Sequence, residues 1–276
     1  MYPSTDPVEF QRVLRDSRNI VAIAGAGLSA ASGIPTFRTG GGLWETHDVT
    51  KLATPQAFAA DPILVWRFYH ARRRAISAAS PNAAHYALAV LSLPSYLSTV
   101  APHAQYTLIT QNVDGLSTRA HQDVDQAPNI LEMHGRLLDT LCTGCGHRAH
   151  TAADPLCPAL GDDSGSARIS IEQLPHCHIC GGLLRPGVVW FDEIPHHLRA
   201  INALVEKADL CLVIGTSSTV YPAAGYAHEV AENGGTVAVF NSERTEDDEF
   251  AQFFFLGPCE ETLPRILLDF QAPLPG

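Results

Sequence analysis

No apolar run in this chain of 276 residues approaches the roughly 20 consecutive residues that a membrane-spanning helix needs. Positive charge is also short: 18 Lys and Arg stand against 29 Asp and Glu, a net charge of -11. That balance argues against indiscriminate attraction to nucleic acid or to an anionic membrane, so neither is expected as a direct partner. Residues 1–10 lack the basic-then-apolar order of a secretory signal and are too short and acidic for an ordinary mitochondrial presequence. The expected setting is intracellular, cytoplasmic or mitochondrial, with no clear targeting sequence. Internal repeats and low-complexity tracts are missing as well. Apolar and charged contents of 46% and 17% are those of a folded chain, long enough for one large domain with a smaller insertion.

Seven cysteines cannot all pair with one another. Four form Cys142-Thr143-Gly144-Cys145 and Cys177-His178-Ile179-Cys180, with 31 residues between the pairs. Each pair can present two thiolates from one knuckle, and two knuckles complete a closed tetrahedral zinc site. Four protein ligands leave no position open to water, so such a metal is structural. A redox Cys-x-x-Cys is the competing reading, and the doubled pair favours zinc and a reducing compartment. His147, His176 and His178 lie close in sequence, but the four cysteines are taken as the ligand set. Cys211 sits in an apolar run and reads as core.

The apolar, β-branched runs 19–24, 106–110, 129–133, 210–214 and 236–240 read as strands, and 82–91 and 223–232 as helices between them. This alternation predicts an α/β fold with a doubly wound parallel sheet. Residues 40–80, helical and loop-rich, and 141–182, carrying the cysteine pairs, interrupt the pattern.

The first strand runs into Gly25-Ala26-Gly27-Leu28-Ser29-Ala30-Ala31-Ser32-Gly33-Ile34-Pro35-Thr36-Phe37-Arg38. A small-residue turn after a buried strand can offer free backbone N–H groups to a diphosphate. The usual dinucleotide fingerprint is only half present, because Ala30 stands at its third glycine. On the glycines alone, a tight turn in any α/β protein fits equally well. Three further strand ends carry polar groups. Gln111-Asn112-Val113-Asp114-Gly115 supplies two amides and a carboxylate, although Asn-x-Asp-Gly is also ordinary turn chemistry. His134-Gly135 sets an imidazole, the side chain suited to move protons near neutral pH, before a glycine. The other twelve histidines have no comparable context. Gly215-Thr216-Ser217 and Asn241-Ser242-Glu243 offer hydroxyls, an amide and a carboxylate, and either could be helix capping.

Taken together, the fourteen-residue loop, Gln-Asn-x-Asp and His-Gly resemble the sirtuins, the NAD-dependent protein-lysine deacylases, over about residues 20–264. The resemblance implies a Rossmann-like NAD-binding domain built from 1–39, 87–138 and 186–276. It also implies a smaller inserted lobe made of a helical module, 40–86, and a zinc ribbon, 139–185. It makes His134 the catalytic base, with Asn112 and Asp114 orienting ribose and nicotinamide. The cofactor-binding set is Gly25, Ala26, Gly27, Ser29, Ala30, Pro35, Thr36, Phe37, Arg38, Trp44, Gln111, Asn112, Val113, Asp114, Gly215, Thr216, Ser217, Asn241, Ser242, Glu243 and Cys259. Val189, Trp190, Phe191 and Glu193 on one side and Val220 and Tyr221 on the other resemble the edges that clamp an extended acyl-lysine peptide. Asp192 departs from the family's usual glycine.

The segment Tyr69-His70-Ala71-Arg72 places a phenol and a guanidinium three apart, hence on one helix face. An arginine-rich helix is by default a solvated face. Tyr-x-x-Arg after Leu52-Ala53-Thr54-Pro55 is nevertheless similar to the class III sirtuins, which remove succinyl and malonyl groups. In them a small residue at the position of Ala53 leaves room for the acyl chain. The resemblance then implies a monomeric enzyme using NAD and one structural zinc, releasing nicotinamide, O-acyl-ADP-ribose and free lysine. It would act on succinyl, malonyl and possibly glutaryl groups, and weakly on acetyl. Protein ADP-ribosyl transfer at the same NAD site and a non-catalytic NAD-sensing zinc module are the alternatives.

Overall fold

The computed structural model describes residues 2–36, 49–127, 129–161, 169–244 and 249–269. Six strands form one wholly parallel sheet: β1 (Asn19–Ala24), β2 (Gln105–Thr110), β3 (Ile130–Glu132), β7 (Leu210–Ile214), β8 (Thr236–Asn241) and β9 (Phe253–Leu256). Their order is β3-β2-β1-β7-β8-β9, so the chain winds outward from β1, crosses over, and winds outward again from β7. The carboxyl ends of β1 and β7 are therefore the switch point, where an open α/β sheet leaves a crevice for ligand.

Strand β1 shows why both faces are covered. Ile20, Ala22 and Ala24 pack into one apolar cluster, and Val21 and Ile23 into another on the opposite face. The first cluster receives α1 (Pro7–Asp16), α5 (Ala83–Ser92), α6 (Pro94–Val100) and α10 (Cys259–Leu267), through side chains such as Phe10, Leu88, Val100 and Leu263. The second receives α8 (Leu198–Val205) and α9 (Ala223–Glu232), through Ile201, Val205, Tyr226 and Val230. Helix α7 (Leu116–Asp123) follows β2, with Leu116 and Ala120 fully buried. The expected strands and helices form with end shifts of at most one residue. The sequence reading did not assign β9, an edge strand whose Phe253 and Phe255 close the first cluster around Phe10.

The smaller lobe has its own core and its own antiparallel sheet of β5 (Arg148–His150), β4 (Gly135–Cys142) and β6 (Leu184–Val188), in that order. Helices α2 (Val49–Leu52), α3 (Pro55–Ala60) and α4 (Pro62–Ala78) pack on it, with Phe58, Trp66, Phe68 and Tyr69 meeting Leu137, Val188 and Trp190. Polar bonds stitch α4 to the sheet. Trp66 Nε1 donates to the Leu184 carbonyl at 2.8 Å. The buried Arg73 guanidinium donates to the carbonyls of Leu137 at 2.8 Å and Thr151 at 2.6 Å.

The expected lobe boundaries need moving. The one between 86 and 87 cuts α5, whose Ala84 packs with the large core, so the helix belongs whole to the sheet domain. Those between 138 and 139 and between 185 and 186 cut β4 and β6, which pair with each other and belong whole to the small lobe.

At the far end of the small sheet, Cys142, Cys145, Cys177 and Cys180 bring their sulfurs within 4.8 Å of one another. Two of the separations are 3.4 Å (Cys142–Cys180) and 3.8 Å (Cys145–Cys177). Thiolates about 2.3 Å from one tetrahedral ion lie roughly 3.8 Å apart, so the donor set suits zinc. Backbone N–H groups of Gly144, Cys145 and Gly182 point at the Cys142 and Cys180 sulfurs, as thiolate ligands require. No histidine joins the group among the described residues, and all seven cysteines are free of disulfides. Metal analysis of protein prepared under reducing conditions should give one zinc per chain. Cys177→Ser should lower Tm by about 5–10 °C, if the lost ligand costs about 2–3 kcal/mol. A metal-free wild type of unchanged Tm would show that the cluster does not brace the lobe.

Candidate active site

The loops after β1 and β7 touch backbone to backbone at the switch point. Gly27 N–H donates to the Gly215 carbonyl at 2.7 Å. A Cβ on Gly27 would lie 2.7 Å from the Gly215 Cα, and Gly215 itself has φ +55°. These glycines are thus required by loop-on-loop contact, a reason beyond the tight turn and ligand approach read from the sequence. Residues 26–32 form a 3-10 turn instead of a full α-helix. Ala26 N–H, at its start, makes no hydrogen bond among the described residues and is free for an anionic oxygen.

A polar network lies under this loop. Asn112 Nδ2 donates to the Gly25 carbonyl at 2.9 Å and to Ser29 Oγ at 3.3 Å. Ser29 Oγ donates to Asp114 Oδ2 at 2.7 Å, and Asp114 Oδ1 accepts from Leu116 N–H. Burial pushes the Asp114 carboxyl up, opposed by those two donors and by Arg72 and Arg119. One member went unassigned in the sequence reading: His85, 1% exposed, with Nε2 3.3 Å from Ser29 Oγ. Its Nδ1 accepts the Asn82 N–H in a capping box at the start of α5, so Nε2 carries the proton and donates to Ser29. Burial lowers His85 to about 4, which keeps it neutral. Asn82 followed by His85 was the available signal, a capping pair with histidine in place of Glu or Gln.

His134 follows β3. Its Nδ1 lies 3.0 Å from the Gln111 carbonyl, which can only accept, so Nδ1 holds the proton and Nε2 is the basic nitrogen. Nε2 has no partner among the described residues. Burial lowers the His134 pKa, opposed by the Gln111 bond and reinforced by His196.

In the small lobe, Tyr69 and Arg72 do share a face of α4. Tyr69 is 5% exposed and its hydroxyl accepts the Trp190 indole N–H at 2.8 Å. Arg72 is half-buried, with its guanidinium 5.5 Å from the Phe68 ring centroid, so this part of the helix is not a solvated face. Burial lowers the Arg72 pKa, and Tyr69 and Asp114 counter that shift. Ala53 is buried nearby, and its carbonyl accepts the Phe191 N–H at 2.9 Å.

The two candidate peptide edges differ from a bare strand. Val189 N–H is committed to the His134 carbonyl and Phe191 N–H to Ala53. Among the described residues no donor reaches the Val189 or Phe191 carbonyl, so this edge offers acceptors. Trp190 is buried, and Glu193 binds Arg185 and the Trp190 N–H, so these two side chains serve the inside of the lobe. Asp192 has φ +68°, a left-handed conformation that glycine adopts freely and Asp tolerates. Val220 and Tyr221 are exposed opposite, at 36% and 77%.

Gln111 Nε2 donates to Thr216 Oγ1 at 3.3 Å and Asn241 Nδ2 to the Thr216 carbonyl at 3.0 Å, tying three strand ends together. Ser217 Oγ pairs with Thr219 Oγ1, and Ser242 and Glu243 are exposed beyond β8. The Cys259 thiol is turned into the core toward the Phe240 carbonyl, so only its backbone is available to a ligand. Pro35 and Thr36 end the described part of the first loop; Phe37, Arg38 and Trp44 lie outside the described residues.

The profile of the Sir2 family matches residues 25–222. The chain is 44% identical over 275 residues to the NAD-dependent protein deacylase sirtuin-5, mitochondrial, of Canis lupus familiaris, covering 96% of this chain and 86% of that protein. It is 43% identical over 262 residues to an NAD-dependent protein deacylase of Pyrococcus abyssi, covering 94% and 96%. Among solved structures, a Sir2 homologue in complex with NAD superposes with a TM-score of 0.82 at 34% identity, covering 98% of this chain and 96% of that one. A Sir2 complex with p53 peptide and NAD+ superposes with a TM-score of 0.76 at 27% identity, covering 96% and 98%. With its sheet order, its switch-point loops and these likenesses in agreement, the chain belongs to the Sir2 family.

Proposed function

We propose that this chain is an NAD-dependent protein-lysine deacylase that prefers acyl groups ending in a carboxylate. The observation that carries the acidic preference is the Tyr69 hydroxyl, buried beside Arg72 with its own proton uncommitted among the described residues. A carboxylate entering a narrow channel loses hydration, and charge-assisted donors restore that loss. Ala53, small and buried, belongs to the same cluster as Tyr69. The relatives named as deacylases, and those solved with NAD or peptide, support the reaction class.

NAD fits the residues present. The unbonded Ala26 N–H suits a phosphate oxygen, and Asn112, Thr216 and Asn241 already fix the loops around it. Gly25, Ala26, Gly27, Ser29, Ala30, Pro35 and Thr36 would hold one side, with Gln111, Asn112, Val113 and Asp114. Gly215, Thr216, Ser217, Asn241, Ser242 and Glu243 would hold the adenosine side. When bound, NAD supplies an electrophilic sugar carbon with nicotinamide as leaving group. His134 Nε2 takes a proton from a sugar hydroxyl. The Gln111 carbonyl holds the ring in the required tautomer. The carbonyls of Val189 and Phe191 receive the substrate backbone, beside exposed Val220 and Tyr221. Zinc braces the small lobe and takes no part in the chemistry. Seven free cysteines support a reducing compartment, and the names of several relatives place those proteins in mitochondria.

Three measurements test the reading. His134→Ala should lower deacylation at least about 100-fold with NAD binding retained; near-normal turnover would remove His134 as the base. Protonation silences the base and burial disfavours the protonated form. The acid limb of kcat/KM for wild type should therefore fall below the ordinary histidine value of 6.5. A limb above that value contradicts the assignment. Arg72→Met should lower the ratio of succinyl to acetyl kcat/KM by on the order of 10- to 1000-fold, for a charged contact of about 1.5–4 kcal/mol. Equal losses on both peptides would make Arg72 a structural residue.

A further inference from the structure

Among the described residues the Tyr69 hydroxyl makes one hydrogen bond, and in it the oxygen is the acceptor. An indole N–H can only donate, so the 2.8 Å contact fixes the direction of that bond: Trp190 to Tyr69. A phenol carries a single proton, which lies near the ring plane on one side of the oxygen or the other. With one side filled by the indole N–H, the O–H is turned to the other side. Among the described residues nothing accepts it, although Tyr69 is 5% exposed. Burial pushes Tyr69 up to about 12, so the group stays a donor through the physiological range. A buried donor with a fixed direction and no acceptor is a half-built hydrogen bond.

Trp190 is itself held from three sides. The Arg185 guanidinium lies 3.5 Å from the centroid of its ring. Glu193 binds Arg185 through both carboxylate oxygens, at 2.5 and 2.8 Å, and accepts the Trp190 backbone N–H at 2.8 Å. Phe58 packs with its centroid 5.3 Å away. Glu193 and Trp190 are thereby placed in one assembly that ends at the Tyr69 oxygen.

We propose that Trp190 is a positioning residue for acyl selectivity: its indole N–H orients the Tyr69 hydroxyl so that the proton points at the carboxylate of the acyl group. The Arg185–Glu193 pair holds the indole in place. The proposal rests on the acidic-acyl reading given above and adds a role distinct from lining the peptide edge. A freely turning phenol would present its lone pairs to the incoming carboxylate in one of its two in-plane states, and repel it. Filling one side with a donor removes that state, and a hydroxyl that accepts a bond also donates a stronger one. An acetyl group carries no carboxylate and draws nothing from this arrangement.

The test is a double-mutant cycle read as selectivity. Trp190→Phe keeps an aromatic ring and deletes the N–H. The ratio of succinyl to acetyl kcat/KM should fall about tenfold in the wild-type background. In the Tyr69→Phe background it should fall less than about twofold, since no hydroxyl remains to orient. An equal fall in both backgrounds would show that Trp190 acts by packing, and would overturn the proposal. A second measurement needs no altered Trp190. Among the three tryptophans, the indole N–H resonance displaced by Tyr69→Phe identifies Trp190. In wild type that resonance should move on binding succinyl-lysine peptide and hold still with acetyl-lysine peptide. A resonance unmoved by bound succinyl peptide also overturns the proposal. A wild type that turns over succinyl-lysine no better than acetyl-lysine sinks the acidic-acyl reading itself, whereas a selective wild type with an unchanged Trp190→Phe ratio sinks only the role of Trp190.

Discussion

Gly27 and Gly215 meet where no side chain fits, and the geometry of the site depends on that contact. The N–H of one binds the carbonyl of the other at 2.7 Å, so the loops leaving β1 and β7 form a single surface at the switch point. Asn112 then ties the end of β2 to the first loop through the Gly25 carbonyl, while Gln111 and Asn241 tie the ends of β2 and β8 to Thr216. Four neighbouring strands thus deliver their polar termini to one crevice. The sheet order makes them neighbours, and the glycine contact holds the loops after β1 and β7 together.

Two histidines flank this surface, and desolvation lowers the pKa of both. What separates them is the partner of Nδ1. At His85 it accepts a backbone N–H, so the proton sits on Nε2 and the ring becomes a donor to Ser29. At His134 it faces a carbonyl, so the proton sits on Nδ1 and Nε2 is left basic. One side chain type therefore serves as a fixed donor in one place and as a proposed proton acceptor in the other. Burial favours the neutral form of both, and a single backbone contact chooses the role of each.

The parallel strands were legible because strands buried on both faces must be apolar and β-branched throughout, as in 19–24 and 210–214. The polar motifs after them were legible because they stand at strand ends. Edge strand β9 was harder: Phe253-Phe254-Phe255-Leu256 is only four residues long and follows a polar stretch, so nothing in its own sequence separates it from a loop. Arg73 and His85 were missed for a different reason. Each is a polar side chain made useful by burial against carbonyls or hydroxyls distant in sequence, Leu137 and Thr151 for the one and Ser29 for the other. No local pattern announces such a partner. Glu193 and Trp190 were read as part of a peptide edge, yet their side chains turn inward, to Arg185 and to Tyr69, partners that lie outside the local segment.

Division of labour between the lobes follows from these contacts. The parallel sheet supplies His134, Asn112 and Asp114, whose positions are fixed by strand ends and by the glycine contact. The small lobe supplies Tyr69, Arg72, Ala53 and Trp190, whose positions depend on how α4 sits on β4 and β6. That seating combines the apolar packing of Trp66, Phe68 and Tyr69 with bonds from Arg73 to Leu137 and Thr151 and from Trp66 to Leu184, on a sheet whose far end carries the four cysteines. On the proposed reading, reaction and selectivity are thus built on separate frameworks that meet at the cleft. On that reading the cysteine cluster bears on the groups proposed to read the acyl chain, because its knuckles adjoin β4 and β6, the strands against which α4 packs. Asp114 is the bridge between the frameworks: it accepts from Ser29 beneath the cofactor loop while its charge offsets the cost of burying Arg72. A substitution there would remove the acceptor of the Ser29 hydroxyl and the charge that offsets the burial of Arg72 in one step.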